Sequence, residues 1–392
     1  MKNRTNDAGP PESSGALRPA AGLEALFDWP LAAATMMGQA NVRLLEELMS
    51  SGRRSQPNSP SLPWTTANRV ALELASMRLR DFSTGADGTA ALICAPYALH
   101  SAVIADFAGD HSVVESLCRG GLSRVFVTDW RSATAETRYF TIDSHLADLN
   151  VAVDQLGPPV DLIGLCQGGW LALVYAARFP NKVRRLVLVG APIDIAAAQS
   201  QLSRFTANLP LSMFEELVQL GDGIVHGDRM LQSWGVLTNA HDAEAVLQYP
   251  QDLDPARRQE LSARFRQWDA ETVDLPGTFY LQVVKGLFQE NQIARGCFVA
   301  LGQQIDLKQF RAPICLLAGG NDEIVAVDQL FATASLVGTP AEHLEKITEP
   351  CGHLNLFLGA EVIHGAWGQI AGWLRRDLGE PRSGASGAVS AT

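Results

Sequence analysis

The segment Pro159-Val160-Asp161-Leu162-Ile163 runs directly into Gly164-Leu165-Cys166-Gln167-Gly168-Gly169 and then into Trp170-Leu171-Ala172-Leu173-Val174-Tyr175-Ala176-Ala177. A short apolar run, a glycine-flanked turn and an apolar stretch of helical length read as a buried strand, a tight turn and a helix. The turn has the form G-x-C-x-G. It sits in the strand–turn–helix context of a nucleophile elbow, with cysteine where serine is usual. Such an elbow holds its central residue in a strained conformation. Small flanking residues let strand and helix approach, and the side chain projects at the end of a sheet. A sulfur placed there can attack an acyl carbon. The plainer reading of Cys166 is a small apolar residue in a tight turn. The legible strand and helix on either side favour the nucleophile.

Around this segment strands and helices alternate, which implies a parallel sheet with helices on both faces. Strands are expected over 89–96, 124–128 (ending at Asp129-Trp130), 160–165 and 183–190. Helices are expected over 112–119, 142–156 and 168–179, the last closed by Pro180. Between Ile193 and Gln309 the rhythm stops. Helical patterns rich in aromatic residues replace it, among them Phe205, Phe214, Trp234, Phe265, Trp268 and Phe279. The rhythm resumes with a strand over 314–318, a helix over 327–337, a strand near 343–347 and a final helix over 361–378. The fold class is therefore α/β: an α/β-hydrolase fold with a mostly parallel sheet, helices on both faces and a helical cap insertion. An aromatic cap suits an apolar acyl substrate.

The expected organisation is a disordered N-terminus over 1–22, an N-terminal helix and linker over 23–63, and the first part of the core over 64–192. The cap over 193–309, the second part of the core over 310–379 and a disordered tail over 380–392 follow. Residues 1–20 are polar and rich in proline and serine. The stretch from Leu23 to Met49 has helical periodicity, and Ser50 to Pro63 is a polar linker.

An elbow nucleophile needs a base and a group to orient that base. In this fold they follow in the order nucleophile, acid, histidine. The strand Ile314-Cys315-Leu316-Leu317-Ala318 runs into Gly319-Gly320-Asn321-Asp322, which puts Asp322 on a loop at the strand's C-terminal end. The histidine is expected after the last strand and before the last helix, where Pro350-Cys351-Gly352-His353 fits. Competing positions rank lower. His343 falls in a strand-like run and His364 on the final helix, while His145 at a helix start reads as a surface residue. Glu323 is expected to point away if Asp322 points in. Asp194, just after the strand ending at Gly190, is the second candidate acid. Cys351 reads as packing.

The roles follow from the positions. Cys166 is the nucleophile, His353 takes its proton or pairs with the thiolate, and Asp322 fixes the histidine tautomer. The oxyanion is expected to be held by the backbone N–H of Gln167 and by one from the loop after Pro96, around Ala98. A thiolate exchanges readily with a thioester, whose leaving group has similar basicity. It is less suited to amides.

Composition narrows the class further. Among 392 residues the net charge is −11, and no run of lysine and arginine exceeds two, so nucleic acid is not an expected partner. No apolar run reaches the ~18 residues a membrane helix needs. The N-terminus lacks the apolar stretch of a signal peptide, and the six cysteines are scattered without a C-x-x-C pair. These point to a cytoplasmic protein with neither a disulfide framework nor a metal site.

At these residues the chain resembles the polyhydroxyalkanoate synthase family, α/β-hydrolase-fold enzymes with a G-x-C-x-G-G box. The box here is Gly164-Leu165-Cys166-Gln167-Gly168-Gly169. The similarity spans residues 65–378. It includes the Pro-containing segment from Ile93 to Phe107, the strand end Val127-Thr128-Asp129-Trp130, and the loops of Asp322 and His353. By resemblance the substrate is a 3-hydroxyacyl-CoA or a polyester, with no cofactor. The location is the cytoplasm or a polyhydroxyalkanoate granule surface, and a homo- or hetero-oligomer is compatible, since the length resembles the synthases that work with a partner subunit. The chain departs from the family at three places. Glu323 replaces the histidine usual after the acid, Trp170 follows the box where a small residue is usual, and Asp143-Ser144-His145 stands for an Asp-Asp-Tyr segment. Intracellular polyhydroxyalkanoate depolymerases share the cysteine and carry an acidic residue after the aspartate more readily. Three functions stay open at this point: a synthase-like acyltransferase, an ester or thioester hydrolase on the same residues, and a non-catalytic granule-associated protein.

Overall fold

An antiparallel hairpin opens the sheet, β1 (Arg69–Glu73) pairing with β2 (Met77–Asp81). Strict alternation along β2 turns Met77, Leu79 and Asp81 inward. The computed structural model describes residues 62–230, 242–250 and 252–376. The chain divides into two units, Met1–Arg53 and Arg54–Thr392, and all these residues lie in the second. The segment expected over 1–22, the helix over 23–49, all of the 50–63 linker but Leu62 and Pro63, and the 380–392 tail lie outside the described residues.

The remaining strands of the main sheet are β3 (Ala91–Cys94), β4 (Val125–Trp130), β5 (Val160–Leu165), β6 (Val183–Val189), β7 (Ile314–Gly319) and β8 (Leu344–Glu349). Their spatial order is β1-β2-β4-β3-β5-β6-β7-β8. Strand β2 meets β4 antiparallel, and every later pairing is parallel. The central strands β3, β5 and β7 are buried at every position, as near-continuous apolar runs covered on both faces should be. The chain goes from β3 outward to β4 and then returns to β5 on the other side. The strand order thus reverses between β3 and β5. A crevice opens beyond the carboxyl ends of strands at such a reversal.

Helices α1 (Val113–Arg119), α2 (Ile142–Leu156) and α3 (Gln167–Arg178) connect the first strands. Between β6 and β7 the described residues form α4 (Gln201–Asn208), α5 (Leu211–Leu220), α6 (Ala243–Leu247), α7 (Pro255–Ala270) and α8 (Gly277–Gln282), with two-residue ladders as the strand among them. Helix α8 continues into a π-helical segment, Val283–Gln289. Phe214, Phe265, Trp268, Phe279, Phe288 and Phe298 of this region are buried. Trp234 lies outside the described residues.

Three local expectations are corrected. The helix expected over 327–337 is two short ones, α9 (Val327–Phe331) and α10 (Thr333–Leu336). The Thr333 and Ser335 hydroxyls bond back to the carbonyls of Leu330 and Ala332 at 2.6 and 2.8 Å, in competition with the helical ladder. The final helix is α11 (Asn355–Leu358), α12 (Ala360–His364) and α13 (Ala366–Arg375), broken where Gly359 is extended and Gly365 leaves helical angles. His343 closes a single 3₁₀ turn ahead of β8 instead of lying within it. Among the described residues no helix is long and apolar enough to cross a membrane.

Candidate active site

The turn between β5 and α3 is built by its glycines. A Cβ on Gly164 would lie 2.4 Å from the Cα of Gly169, and one on Gly168 would lie 2.1 Å from the carbonyl oxygen of Cys94. Only bare backbone lets α3 pack this closely on β5 and on the end of β3. Between them Cys166 takes φ 47° and ψ −116°, a conformation that costs of order 1–3 kcal/mol for a residue with a side chain. Its N–H donates to the Val189 carbonyl at 2.9 Å, which ties the elbow to β6 and holds it in that conformation.

The structure brings three of the expected side chains together. His353 Nε2 is 3.2 Å from Cys166 Sγ, and His353 Nδ1 is 2.7 Å from Asp322 Oδ2. The Asp322 side chain is 0% exposed and that of His353 10%. The other carboxylate oxygen of Asp322 accepts from the N–H groups of Ile324 and Val325, each at 2.8 Å. The acid is thus fixed at both oxygens. Its loop is stitched to that of the histidine, with Gly320 N–H donating to Glu349 at 2.7 Å and Asn321 N–H to Cys351 at 3.0 Å. Burial alone would depress His353. The adjacent Asp322 carboxylate and Cys166 sulfur outweigh it and hold the imidazole well above its ordinary value of 6.5. An imidazole that keeps its proton beside a thiol can hold a thiolate as an ion pair.

Gln167 opens α3, so its N–H is one of the first-turn donors with no partner inside the helix. Its side chain is turned aside, the Oε1 accepting from Trp170 Nε1 at 2.6 Å. Ala98 lies on the loop after β3 and lines the same cavity as Cys166 and Gln167. That loop is anchored by Tyr97, whose hydroxyl donates to the Arg131 carbonyl at 2.9 Å, and by a bond from Val273 N–H to the Leu99 carbonyl at 2.9 Å. Phe279 from α8 packs on both Tyr97 and Trp170, with ring centroids 5.3 and 6.5 Å apart. The loop after β3, helix α3 and the inserted helices thus share one aromatic contact.

Cys166 and His353 open into a cavity of about 340 Å³. Its walls are mainly apolar and come from the inserted helices, with Leu202, Phe205, Val284 and Phe288 among them. Asp269 is the single carboxylate in the lining, which holds no lysine or arginine among the described residues. His100 lies beside it, with Nε2 3.8 Å from Asp269 Oδ1. Sequence reasoning singled out neither residue. They sit on distant segments, and no local pattern links them.

The other candidates fall elsewhere. Asp194 accepts from Asn291 Nδ2 at 2.8 Å and from Ala196 N–H at 3.0 Å, while the carboxylate bonded to His353 is that of Asp322. Glu323 is exposed and accepts from Gln201 Nε2 at 2.6 Å, pointing away from the imidazole. His364 is exposed and pairs with Asp110. Cys351 is buried, and its thiol is pushed up to about 12 by burial and by nearby carboxylates. His145 corrects its expectation as a surface residue: it is 0% exposed, among Tyr97, Trp130, Phe140 and Phe279. Among the described residues no three His, Cys, Asp or Glu side chains are grouped to hold a metal ion.

Residues 123–360 match the family model for the alpha/beta hydrolase fold. The chain is 25% identical over 293 residues to the poly(3-hydroxyalkanoate) polymerase subunit PhaC of Allochromatium vinosum, covering 72% of this chain and 78% of that protein. It is 26% identical over 293 residues to the protein of the same name from Synechocystis, covering 72% of this chain and 75% of that one. Among solved structures, a monoacylglycerol lipase from Paleococcus ferrophilus superposes with a TM-score of 0.52 at 15% identity, over 76% of this chain and 98% of the lipase. That likeness bears on the fold.

Proposed function

The chain belongs to the α/β-hydrolase fold family, and from that premise we propose that it is a polyhydroxyalkanoate synthase-like acyltransferase, passing 3-hydroxyacyl groups from a CoA thioester through Cys166, His353 and Asp322. The observation that carries this reading is a cysteine at a strained elbow, 3.2 Å from an imidazole that a buried carboxylate favours in its protonated form. Its likeness to the polymerase subunits supplies the substrate class.

Cys166 Sγ gives its proton to His353 Nε2 and attacks the thioester carbon. As the Sγ–C bond forms, the carbonyl oxygen becomes an oxyanion beside the N–H groups of Gln167 and Ala98. The bond to the CoA sulfur breaks, and that sulfur leaves with the proton from His353. In the second half the hydroxyl of an acceptor chain gives its proton to His353 and attacks the acyl carbon. Cys166 leaves and recovers that proton. Asp322 keeps Nδ1–H oriented throughout. Acyl-CoA enters as substrate, and no step runs through a metal or cofactor. The apolar cavity fits the acyl portion. The proposal places the protein in the cytoplasm or at a polyester granule surface, as a homo-oligomer or with a partner subunit.

Water in place of the acceptor hydroxyl would turn the same residues into a hydrolase. Purified protein is given 3-hydroxybutyryl-CoA, and free CoA, polymer and free acid are followed. CoA release with polymer is expected, and both are lost in Cys166→Ala. Free acid without polymer, together with monomer release from amorphous polyester, would make the protein a depolymerase. Inertness toward both substrates would favour a non-catalytic granule protein.

A further inference from the structure

Two histidine-centred sets of polar groups line the cavity, alongside Ser101, Thr206 and Tyr280. One is the Cys166 set already described. The other is His100 and Asp269, placed by separate elements. His100 follows Ala98 by two residues, and two peptide links span at most about 7 Å, so it lies close to the oxyanion loop. Its position is fixed. It forms a bridge with Thr272, its ring packs on buried Trp268 with centroids 4.3 Å apart, and Nδ1 is 3.4 Å from the Glu271 carbonyl. A carbonyl can only accept, so Nδ1 carries a hydrogen on that side and Nε2 faces Asp269.

At 3.8 Å the Nε2–Oδ1 separation is too long for a hydrogen bond. The Asp269 carboxylate accepts no hydrogen bond from any described residue. Its side chain is 38% exposed, against 15% for His100. A lone carboxylate in a mainly apolar lining sets what can pass. It repels the phosphates of a CoA moiety, so this side of the cavity suits the acyl side of a thioester. It accepts a hydrogen bond from a neutral donor, and the imidazole next to it offers complementary polarity. An aliphatic hydroxyl fits there: it donates to the Asp269 carboxylate, and its oxygen accepts from His100 Nε2 when the ring carries a second hydrogen.

We propose that His100 and Asp269 form a hydroxyl-recognition pair on the acyl side of the cavity, selecting hydroxyacyl over plain acyl groups. The pair is separate from Cys166, His353 and Asp322, and its role rests on the acyl-transfer reading above. The hydroxyl can belong to the acyl donor or to the end of an acceptor chain.

The test compares the wild type with Asp269→Asn and His100→Gln. Acylation of Cys166 is timed by intact mass in a single turnover with 3-hydroxybutyryl-CoA and with butyryl-CoA. Discharge of the butyryl enzyme is timed with methyl 3-hydroxybutyrate and with water alone. A hydrogen bond to a charged group makes the expected hydroxyl preference about 10- to 100-fold in the wild type, falling toward one in both variants. A loss confined to acylation places the hydroxyl on the donor, and one confined to discharge places it on the acceptor. A wild type without preference, or variants that keep it in both steps, overturns the pair while leaving acyl transfer standing. If neither thioester acylates Cys166, the acyl-CoA reading fails. The hydroxyl ratio is then measured with p-nitrophenyl 3-hydroxybutyrate against p-nitrophenyl butyrate, and a ratio of one, or no acylation by either ester, overturns the pair as well.

Discussion

Removing one charge would test the coupling between Asp322 and His353. The imidazole is buried, which by itself lowers its affinity for a proton, and the neighbouring carboxylate and sulfur more than reverse this. Asp322→Asn removes the carboxylate and leaves burial, so the His353 titration should move down, as followed by its ring resonances in an NMR pH series. Turnover should drop about 10³- to 10⁴-fold, since the amide no longer selects the productive tautomer. The stability consequence has a definite sign. A histidine whose native value is raised stabilises the fold fully below its unfolded value. That contribution is lost as pH climbs through the native value. The wild type's advantage over Asp322→Asn in urea unfolding should therefore be larger at about pH 6 than at about pH 9. An advantage that grows with pH would mean His353 is not held protonated by this carboxylate. Cys166, Asp322 and His353 were legible in the sequence because each sits where a strand ends, beside glycines that mark the turn. His100 and Asp269 were not, because folding alone brings those two distant segments together.

The elbow is a property of two elements and the space between them. The 2.1 Å approach of a Cβ on Gly168 to the Cys94 carbonyl would fall between α3 and the end of β3, both rigid and buried. Gly168→Ala must push the helix start away from β3, which displaces the N–H of Gln167 and the loop that carries Ala98. Destabilisation of at least about 2 kcal/mol is expected, with a loss of turnover greater than stability alone explains. Thermal melting and single-turnover acylation of the folded fraction measure the two effects. Normal acylation in that fraction would show that the reactivity of Cys166 does not depend on this contact. Strands β3, β5, β6 and β7 could be read directly as apolar runs, since covered strands leave that pattern. The β1–β2 hairpin escaped because its exposed edge strand carries charge, although the alternation of Met77, Leu79 and Asp81 was there to see. The breaks at Thr333 and Gly365 depend on side-chain and backbone competition that helical periodicity does not register.

At the scale of the whole molecule, the sheet and the inserted helices meet around one side chain. His145 sits on α2 in contact with Tyr97 of the loop after β3, Trp130 of β4 and Phe279 of α8. Its burial follows from the same helical periodicity that places Ile142, Leu146 and Leu149 inward, and was missed by reading the residue type instead of the face. Nδ1 lies 2.8 Å from the Thr141 carbonyl, which can only accept, so Nδ1 carries the hydrogen. Nε2 is buried with no partner. Protonating Nε2 would bury a charge among aromatic rings, and burial lowers the group from its ordinary 6.5 to about 4. The unfolded chain therefore binds more protons between those values, and stability must fall as pH drops through that window. The loss carried by this one residue between about pH 7 and about pH 5 is about 2 kcal/mol. His145→Phe keeps a ring of similar size and cannot take a proton. Its urea midpoint should fall less than that of the wild type over the same interval. Acidic groups elsewhere titrate alike in both proteins and cancel in the comparison. An equal fall in the two would show that the junction between sheet and inserted helices does not carry the acid sensitivity, because His145 then takes its second proton in the folded protein as readily as in the unfolded chain.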